Sequence, residues 1–312
     1  MAEKISLDSL FERRIVYPDF DPQERLARLV GLDDYKSRLT KILALLVNPS
    51  GLQTWSEKYH PGADSILSSV LRRPPLVVLA GDVGSGKTEL AETIGDAVAR
   101  QEGIEITLFP LSLSTRGEGR VGEMTQLLSG AFDYTVEAAE KLKGSNGKSH
   151  GAVILLVDEA DALAQSREAA QMHHEDRAGV NAFIRGIDRL GNGQLPAAVI
   201  MCTNRLKALD PAVRRRAAEI LEFSRPNKEQ RSAVLAPPLT QLGFSPQEIG
   251  AIVTATGKTK DRDYGFTFSD LTQRLLPAVV LDAYPANKVT ASRALEIANG
   301  IVPTAPFQDG QR

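Results

Sequence analysis

One cysteine, Cys202, serves the whole chain, which excludes an internal disulfide; its place at the end of an apolar stretch marks it as a small buried residue. Charge of one sign is also missing. Lys and Arg number 37 against 39 Asp and Glu, a formal net charge of -2, so bulk electrostatics does not favour nucleic acid as a partner. Long apolar runs are absent: stretches such as residues 42–47 and 153–157 are far too short to span a bilayer. The opening Met1-Ala2-Glu3-Lys4-Ile5 has no apolar signal-peptide core, and there is no internal repeat or long low-complexity segment. His173-His174 invite a metal reading, but no Cys or third His stands at ligand spacing, so the ligand count fails. These absences point to a soluble cytoplasmic chain with no membrane partner, and 312 residues suffice for one large domain and a smaller one.

What is present is chemically specific. Gly81-Asp82-Val83-Gly84-Ser85-Gly86-Lys87-Thr88 fits G-x-x-x-x-G-K-[ST]. Just before it, Leu76-Val77-Val78-Leu79-Ala80 suits a buried parallel strand, and after it Leu90, Ile94, Ala97 and Val98 recur at helical spacing. Strand, glycine-rich turn and helix start thus follow in the order a phosphate-binding loop requires. The glycines let backbone N–H groups curl around the β- and γ-phosphates of ATP, and the helix N-terminus, with Glu89 in its first turn, adds partial positive charge. Lys87 reaches the phosphates in this reading, and Thr88 ligates Mg²⁺.

Further apolar runs predict strands at residues 105–111, 152–157, 197–202 and 219–223, alternating with helices that include 34–47 and 123–143. The expected fold is therefore α/β, a five-stranded parallel sheet covered by helices on both faces. Residues 48–51, Asn-Pro-Ser-Gly, are expected to break the helix before them. After Arg225-Pro226 no further strand is evident. Ser245-Pro246-Gln247-Glu248 is a capping box with proline at the first helical position, and helices are expected at 269–284 and 290–299. The tail beyond Gly300, rich in proline and polar residues, is expected to fray. The domain boundary falls near Arg225: residues 1–225 form the large nucleotide-binding domain, residues 226–312 a small helical lid.

Asp158-Glu159 after an apolar strand gives two acids two jobs, Asp158 holding the Mg²⁺ hydration shell and Glu159 polarising the attacking water. An acidic turn that caps the next helix would read alike; the phosphate loop upstream decides for catalysis. Asn204 closes the next strand, where its carboxamide could bond both the γ-phosphate and the water, although Asn is also common turn chemistry. Arg214-Arg215-Arg216 cannot all face one phosphate within a subunit, but a guanidinium from a neighbour can stabilise charge on the transferring phosphoryl group. The alternative is a solvated basic helix end.

In this order the signals resemble an AAA+ ATPase, through residues 81–88, 153–159, Val180-Asn181-Ala182-Phe183 with Ile187-Asp188, Thr203-Asn204 and 209–216. The resemblance implies that Gly31-Leu32 lies beside the adenine, that Asn204 is the first sensor, and that Arg215 and Arg216 act on an adjacent protomer's nucleotide in a homo-hexamer. Residues 157–163, 177–188 and 269–277, with its Leu276-Pro277 ending, are similar to the pachytene-checkpoint ATPases, which remodel HORMA-domain proteins. The short length resembles the bacterial members of CBASS anti-phage operons, found beside a HORMA protein and a cyclic-nucleotide synthase.

The resemblance has departures. The substrate-gripping loop aligns to Gly119-Arg120-Val121-Gly122, with Arg120 in place of an aromatic and Val121 as the apolar contact. Leu271 falls near the second-sensor position and Arg274 one helical turn later, which leaves that role open. A second pore-facing loop aligns to residues 171–177. The function implied is an ATP-hydrolysing ring that threads a HORMA-domain protein; the alternative is a nucleic-acid-handling AAA+ ATPase of the clamp-loader or transposition type, which needs a basic stripe that the charge balance does not favour.

Overall fold

The structure, a computed structural model, describes residues 10–11, 13–113, 123–144, 149–163, 174–260 and 262–307. The chain divides into two compact units. The first holds residues up to Ala27, Asp34–Ala80 and Thr88–Glu222; the second holds Arg28–Asp33, Gly81–Lys87 and everything from Phe223 onward.

The strands are β1 (Ile15–Tyr17), β2 (Leu76–Gly81), β3 (Glu105–Ser112), β4 (Gly151–Asp158), β5 (Ala197–Thr203) and β6 (Ala217–Phe223). The helices, in chain order, are α1 (Phe20–Arg28), α2 (Asp33–Val47), α3 (Pro49–Tyr59), α4 (Asp64–Leu71), α5 (Lys87–Glu102), α6 (Glu123–Leu142), α7 (His174–Asn192), α8 (Pro211–Arg214), α9 (Lys228–Gln241), α10 (Pro246–Ala255), α11 (Leu276–Ala283) and α12 (Ala291–Gly300). One sheet takes all six strands in the order β1-β3-β4-β5-β2-β6.

The unbroken apolar runs of β2, β4 and β5 follow from burial on both faces, which a parallel sheet between helices imposes. Val153, Leu155 and Val157 stand opposite Ala197, Val199 and Met201, and Leu76 and Val78 stand opposite Val199 and Met201. Together they make one face, packed in a core with Leu128 and Phe132 of α6 and Val180, Phe183 and Ile187 of α7. The intervening residues, Val77, Leu79, Ile154, Leu156, Ala198 and Ile200, are equally buried on the other face.

The apolar runs predict five strands, and among the described residues the sheet has six. The sixth is β1, antiparallel to β3 at the edge, with Ile15 opposite Leu108 and Tyr17 opposite Ile106. Three residues are too few to show a period. Tertiary packing holds β1 instead: the fully buried Tyr17 donates its hydroxyl to the Glu92 carbonyl of α5. Its ring lies where a Cβ on Gly95 would come within 2.3 Å, so Gly95 is what lets strand and helix meet. Burial, reinforced by the charge of Glu92, pushes the Tyr17 phenol well above its ordinary pKa.

The second unit has its own core, in which Leu235 and Leu239 of α9, Ile252 of α10, Phe266, Leu271, Leu275, Val279 and Ala294 are buried together. The capping box at Ser245 forms as the sequence predicts, with the Ser245 hydroxyl accepting from the Glu248 N–H and the Glu248 carboxylate accepting from the Ser245 N–H.

One local expectation changes and two gain detail. The helix before Asn48 ends at Val47 as the sequence predicts, and α3 follows at once, because Pro49 sits at its first helical position, where a missing N–H costs nothing. The helix expected over 269–284 is helical without a break from residue 268 to 283, with Asp270–Leu275 wound as a π turn ahead of α11. Pro277 explains the wide turn, since proline brings no N–H and its ring crowds the carbonyl four residues back. Residues 301–307 do not fray: the Thr304 N–H and hydroxyl donate to Asp270, and the Phe307 N–H donates to Asp82.

Candidate nucleotide-binding and hydrolysis site

The glycine-rich loop belongs to the second unit. Gly81, Gly84 and Gly86 have φ of +148°, +73° and +92°, a region that side chains disfavour. The space is closed to them as well: a Cβ would lie 2.1 Å from the Phe223 carbonyl oxygen at Gly81 and 2.8 Å from Thr267 Oγ1 at Gly84. Lys87 is buried, and its ammonium donates to the carbonyls of Gly81 and Asp82, each at 2.8 Å. The loop therefore curls around its own lysine. Val83 stands exposed at the tip and Ser85 is buried beneath.

Three elements of the same unit brace this loop. The Ser269 N–H donates to the Gly84 carbonyl at 3.1 Å. Arg225 donates Nε to Asp82 Oδ2 at 2.8 Å and Nη1 to the Gly265 carbonyl at 2.7 Å, and its guanidinium lies 5.0 Å from the centre of the Tyr264 ring. The segment 28–33 closes in from the side: a Cβ on Gly86 would meet Leu32 Cδ1 at 3.2 Å, and Gln230 Nε2 donates to the Gly31 carbonyl at 2.7 Å. Gly31 and Leu32 are thus beside the loop. Leu271 is buried in the core, whereas Arg274 is exposed and donates to Asp270 at 2.7 Å. Burial alone would raise the Asp270 pKa. Hydrogen bonds from the Thr267 N–H, Arg274 and Thr304 outweigh it and hold the carboxyl below its ordinary range.

In the first unit, Asp158 ends β4 and is half-buried, with Glu159 exposed beside it. Glu159 adopts φ 52° and ψ 38°, a left-handed conformation that costs a non-glycine residue about 1–2 kcal/mol. Its N–H donates to Asp158 Oδ1 at 2.8 Å, and its Oε2 accepts from the Ser112 hydroxyl at 2.8 Å. Strain of this kind clusters where a side chain must be aimed. One short turn on, Asp161 gathers the end of β5: Oδ1 accepts from the Thr203 hydroxyl at 2.8 Å and the Asn204 N–H at 2.7 Å, and Oδ2 accepts from Asn204 Nδ2 at 3.0 Å. The carboxamide of Asn204 is oriented by Asp161.

The motifs give Ser112 and Asp161 no role. Asp161 carries a faint signal as a third acid within Asp158-Glu159-Ala160-Asp161; Ser112, at the end of a strand 46 residues upstream of Asp158, carries none. Asp161→Ala is expected to lower kcat for ATP by about 10²-fold, the scale of a misplaced reacting group, with a smaller change in KM. Steady-state ATPase kinetics checks this, and an unchanged kcat would mean that Asn204 is placed without Asp161.

Thr88 is exposed in the first turn of α5. Glu89, expected near the phosphates, has its carboxylate taken by Arg25, which donates Nε and Nη2 at 2.8 Å each and reaches Glu92 at 2.9 Å. Its side chain fastens α1 to α5, leaving the main chain of the first turn as its contribution to a site. Of the three arginines, Arg214 and Arg215 are exposed at the end of α8. Arg216 makes a bidentate pair with Asp188 of α7, at 2.7 and 2.9 Å, and donates Nη1 to the Ala212 carbonyl. Hydrogen bonding to Asp188 raises its pKa further. Arg120, Val121 and His173 lie outside the described residues, as does the side chain of His174.

Residues 77–225 match the ATPase family associated with various cellular activities (AAA). The chain is 70% identical over 311 residues to CD-NTase-associated protein 6 of Escherichia coli strain MS 115-1, with all of both chains covered. Among solved structures it is similar to the Trip13 chain in the E. coli MS115-1 HORMA:CdnC:Trip13 complex, at 68% identity and a TM-score of 0.90, covering 98% of this chain and 100% of that one. It is similar also to Rhizobiales Trip13, at 58% identity and a TM-score of 0.75, covering 95% of this chain and 100% of that one. With a glycine loop closed on its lysine and an acid pair and clamped Asn at the strand ends, the chain belongs to the AAA ATPases, in the family of CD-NTase-associated protein 6.

Proposed function

We propose that the glycine-rich loop binds ATP, that Asp158, Glu159 and Asn204 at the strand ends serve its hydrolysis, and that this hydrolysis drives the remodelling of a HORMA-domain protein. One observation carries the placement. Ala80, from which the loop departs, stands opposite Thr203, the neighbour of Asn204; β4 lies on the other side of β5 and ends at Asp158. The strand that leads into the phosphate loop and the strands that end at the sensor and the acids therefore finish at the same end of one sheet, the end where α/β folds take their ligands.

The residues suit the triphosphate. Gly84 has no room for a Cβ, Gly86 shares its positive φ, and the buried Lys87 puts a cation among the loop's carbonyls. Thr88 and Asp158 are the groups that would hold Mg²⁺, which when bound shields the charge of the β- and γ-phosphates. Glu159 takes the proton of the attacking water, and Ser112 keeps its carboxylate aimed. Asn204, fixed by Asp161, offers its carboxamide to the γ-phosphate. Arg215, exposed, and Arg216, held by Asp188, act on the nucleotide of an adjacent protomer. Such fingers require a ring, here a homo-hexamer in the cytoplasm, with residues 1–225 as the nucleotide-binding domain and 226–312 as the lid.

The substrate reading rests on the relatives. A chain 68% identical to this one sits in a HORMA:CdnC:Trip13 complex, which points to a HORMA-domain protein bound to a cyclic-nucleotide synthase as the partner in anti-phage signalling. The balance of 37 basic against 39 acidic residues lends nothing to a DNA-handling role. Arg120 and Val121 would grip the threaded segment, the valine through apolar contact and the arginine through its long stem. Val121→Ala and Arg120→Ala are therefore expected to slow release of a HORMA protein from its partner far more than they slow ATP turnover. Release by both variants at the wild-type rate would overturn threading through this loop.

A further inference from the structure

Residues 301–307 run on from α12 to the phosphate loop. Thr304 donates its N–H (3.0 Å) and its hydroxyl (2.8 Å) to Asp270, a fully buried acid at the start of the π turn. Three residues later the Phe307 N–H donates to Asp82 Oδ1 at 3.1 Å. Asp82 is the second residue of the glycine loop, and its own backbone carbonyl accepts from the Lys87 ammonium at 2.8 Å. The loop is tied to Asp270 from the other side too: Asp270 accepts from the Thr267 N–H, and Ser269, adjacent in sequence, donates to the Gly84 carbonyl. One buried carboxylate thus anchors both flanks of the loop.

We propose that residues 301–307 are a positioning strap for the phosphate loop, with Thr304 fixing the strap to Asp270 and the Phe307 amide holding the Asp82 carboxylate. The chemistry explains why a strap is needed. A carboxylate within a phosphate-binding loop carries the same sign as the polyphosphate, and repels it wherever it can turn toward the ligand. Arg225 occupies one oxygen of Asp82 and the Phe307 N–H the other, so the acid is committed to this unit. Without the strap, the loop samples arrangements that bind nucleotide poorly, and apparent affinity falls by the fraction of time it spends there. Phe307 acts through its main chain: its ring is 44% exposed.

This inference rests on the nucleotide-site reading, and the experiment separates the two. Phe307→Pro removes the N–H and Phe307→Ala keeps it; Thr304→Val removes the hydroxyl and Thr304→Ser keeps it. Binding of a fluorescent ADP derivative and the steady-state KM and kcat for ATP are measured on the full chain, with Lys87→Ala as control. Phe307→Pro and Thr304→Val are expected to raise Kd and KM about 3- to 10-fold with kcat within about twofold, while the alanine and serine variants stay near wild type. Wild-type KM in Phe307→Pro and Thr304→Val overturns the strap, as does a lowered melting temperature with no change in KM. If Lys87→Ala also binds as wild type does, the nucleotide site itself has been misplaced.

Discussion

Glu159→Gln is expected to bind ATP as tightly as the wild-type chain and to hydrolyse it about 10²–10⁴-fold more slowly, the scale of a lost general base. In the proposed site the phosphate contacts come from the glycine loop and Lys87, and Thr88 and Asp158 would hold the metal; none of these changes. The glutamine carbonyl still accepts from the Ser112 hydroxyl, now 2.8 Å from Glu159 Oε2, so the left-handed turn at this position keeps its tether. What is lost is the capacity to take a proton. Lys87→Ala separates the roles from the other direction, weakening binding itself, because the loop loses the cation that its Gly81 and Asp82 carbonyls surround. Nucleotide titration together with single-turnover hydrolysis checks both variants. Wild-type turnover by Glu159→Gln would remove Glu159 from the chemistry.

Arg216→Ala, and secondarily Arg215→Ala, is expected to abolish hydrolysis with little change in nucleotide affinity, by about 10³–10⁵-fold if the guanidinium acts as fingers do in other phosphoryl transfers. The two arginines differ in a way that sharpens the test. Arg215 is exposed, whereas Arg216 is pre-aimed by its bidentate bond to Asp188. Pairing with Asp188 restrains the Arg216 side chain, so less side-chain entropy is left to lose when its remaining N–H groups meet a phosphate. Mixing Arg216→Ala with Glu159→Gln subunits should restore part of the activity, because some interfaces then combine an intact Glu159 with an intact Arg216. No recovery across a range of ratios, in rings shown to be mixed, would place Arg216 in cis.

Motifs that act through their own backbone were legible in the sequence. The loop at 81–88 needs glycine where φ is positive, and β2, β4 and β5 need unbroken apolar runs because both faces are covered. What stayed hidden depends on partners far away in the chain. Three residues of β1 become a strand only because Tyr17 fits against Gly95. Pro237-Pro238 argue against a helix, yet α9 forms, started by a capping box between Asn227 and Gln230 and held by buried Leu235 and Leu239. The second unit's grip on the loop through Arg225, Phe307 and Ser269 has no local pattern, since each contact spans 143 or more residues to its partner on the loop. Asp188 and Asp161 were visible as acids inside matched segments, but their tasks of aiming Arg216 and Asn204 appear only in three dimensions.

ATP-driven release of a HORMA-domain protein from its bound partner bears most directly on the proposed function. The purified complex is mixed with this chain and followed by size-exclusion chromatography with ATP, with a non-hydrolysable analogue, and with the Glu159→Gln variant. Hydrolysis-coupled remodelling predicts that the complex separates with ATP and wild-type protein alone, and stays whole in the other two mixtures. A complex that stays whole while ATP is being turned over, or one that separates equally well with the analogue, would contradict it.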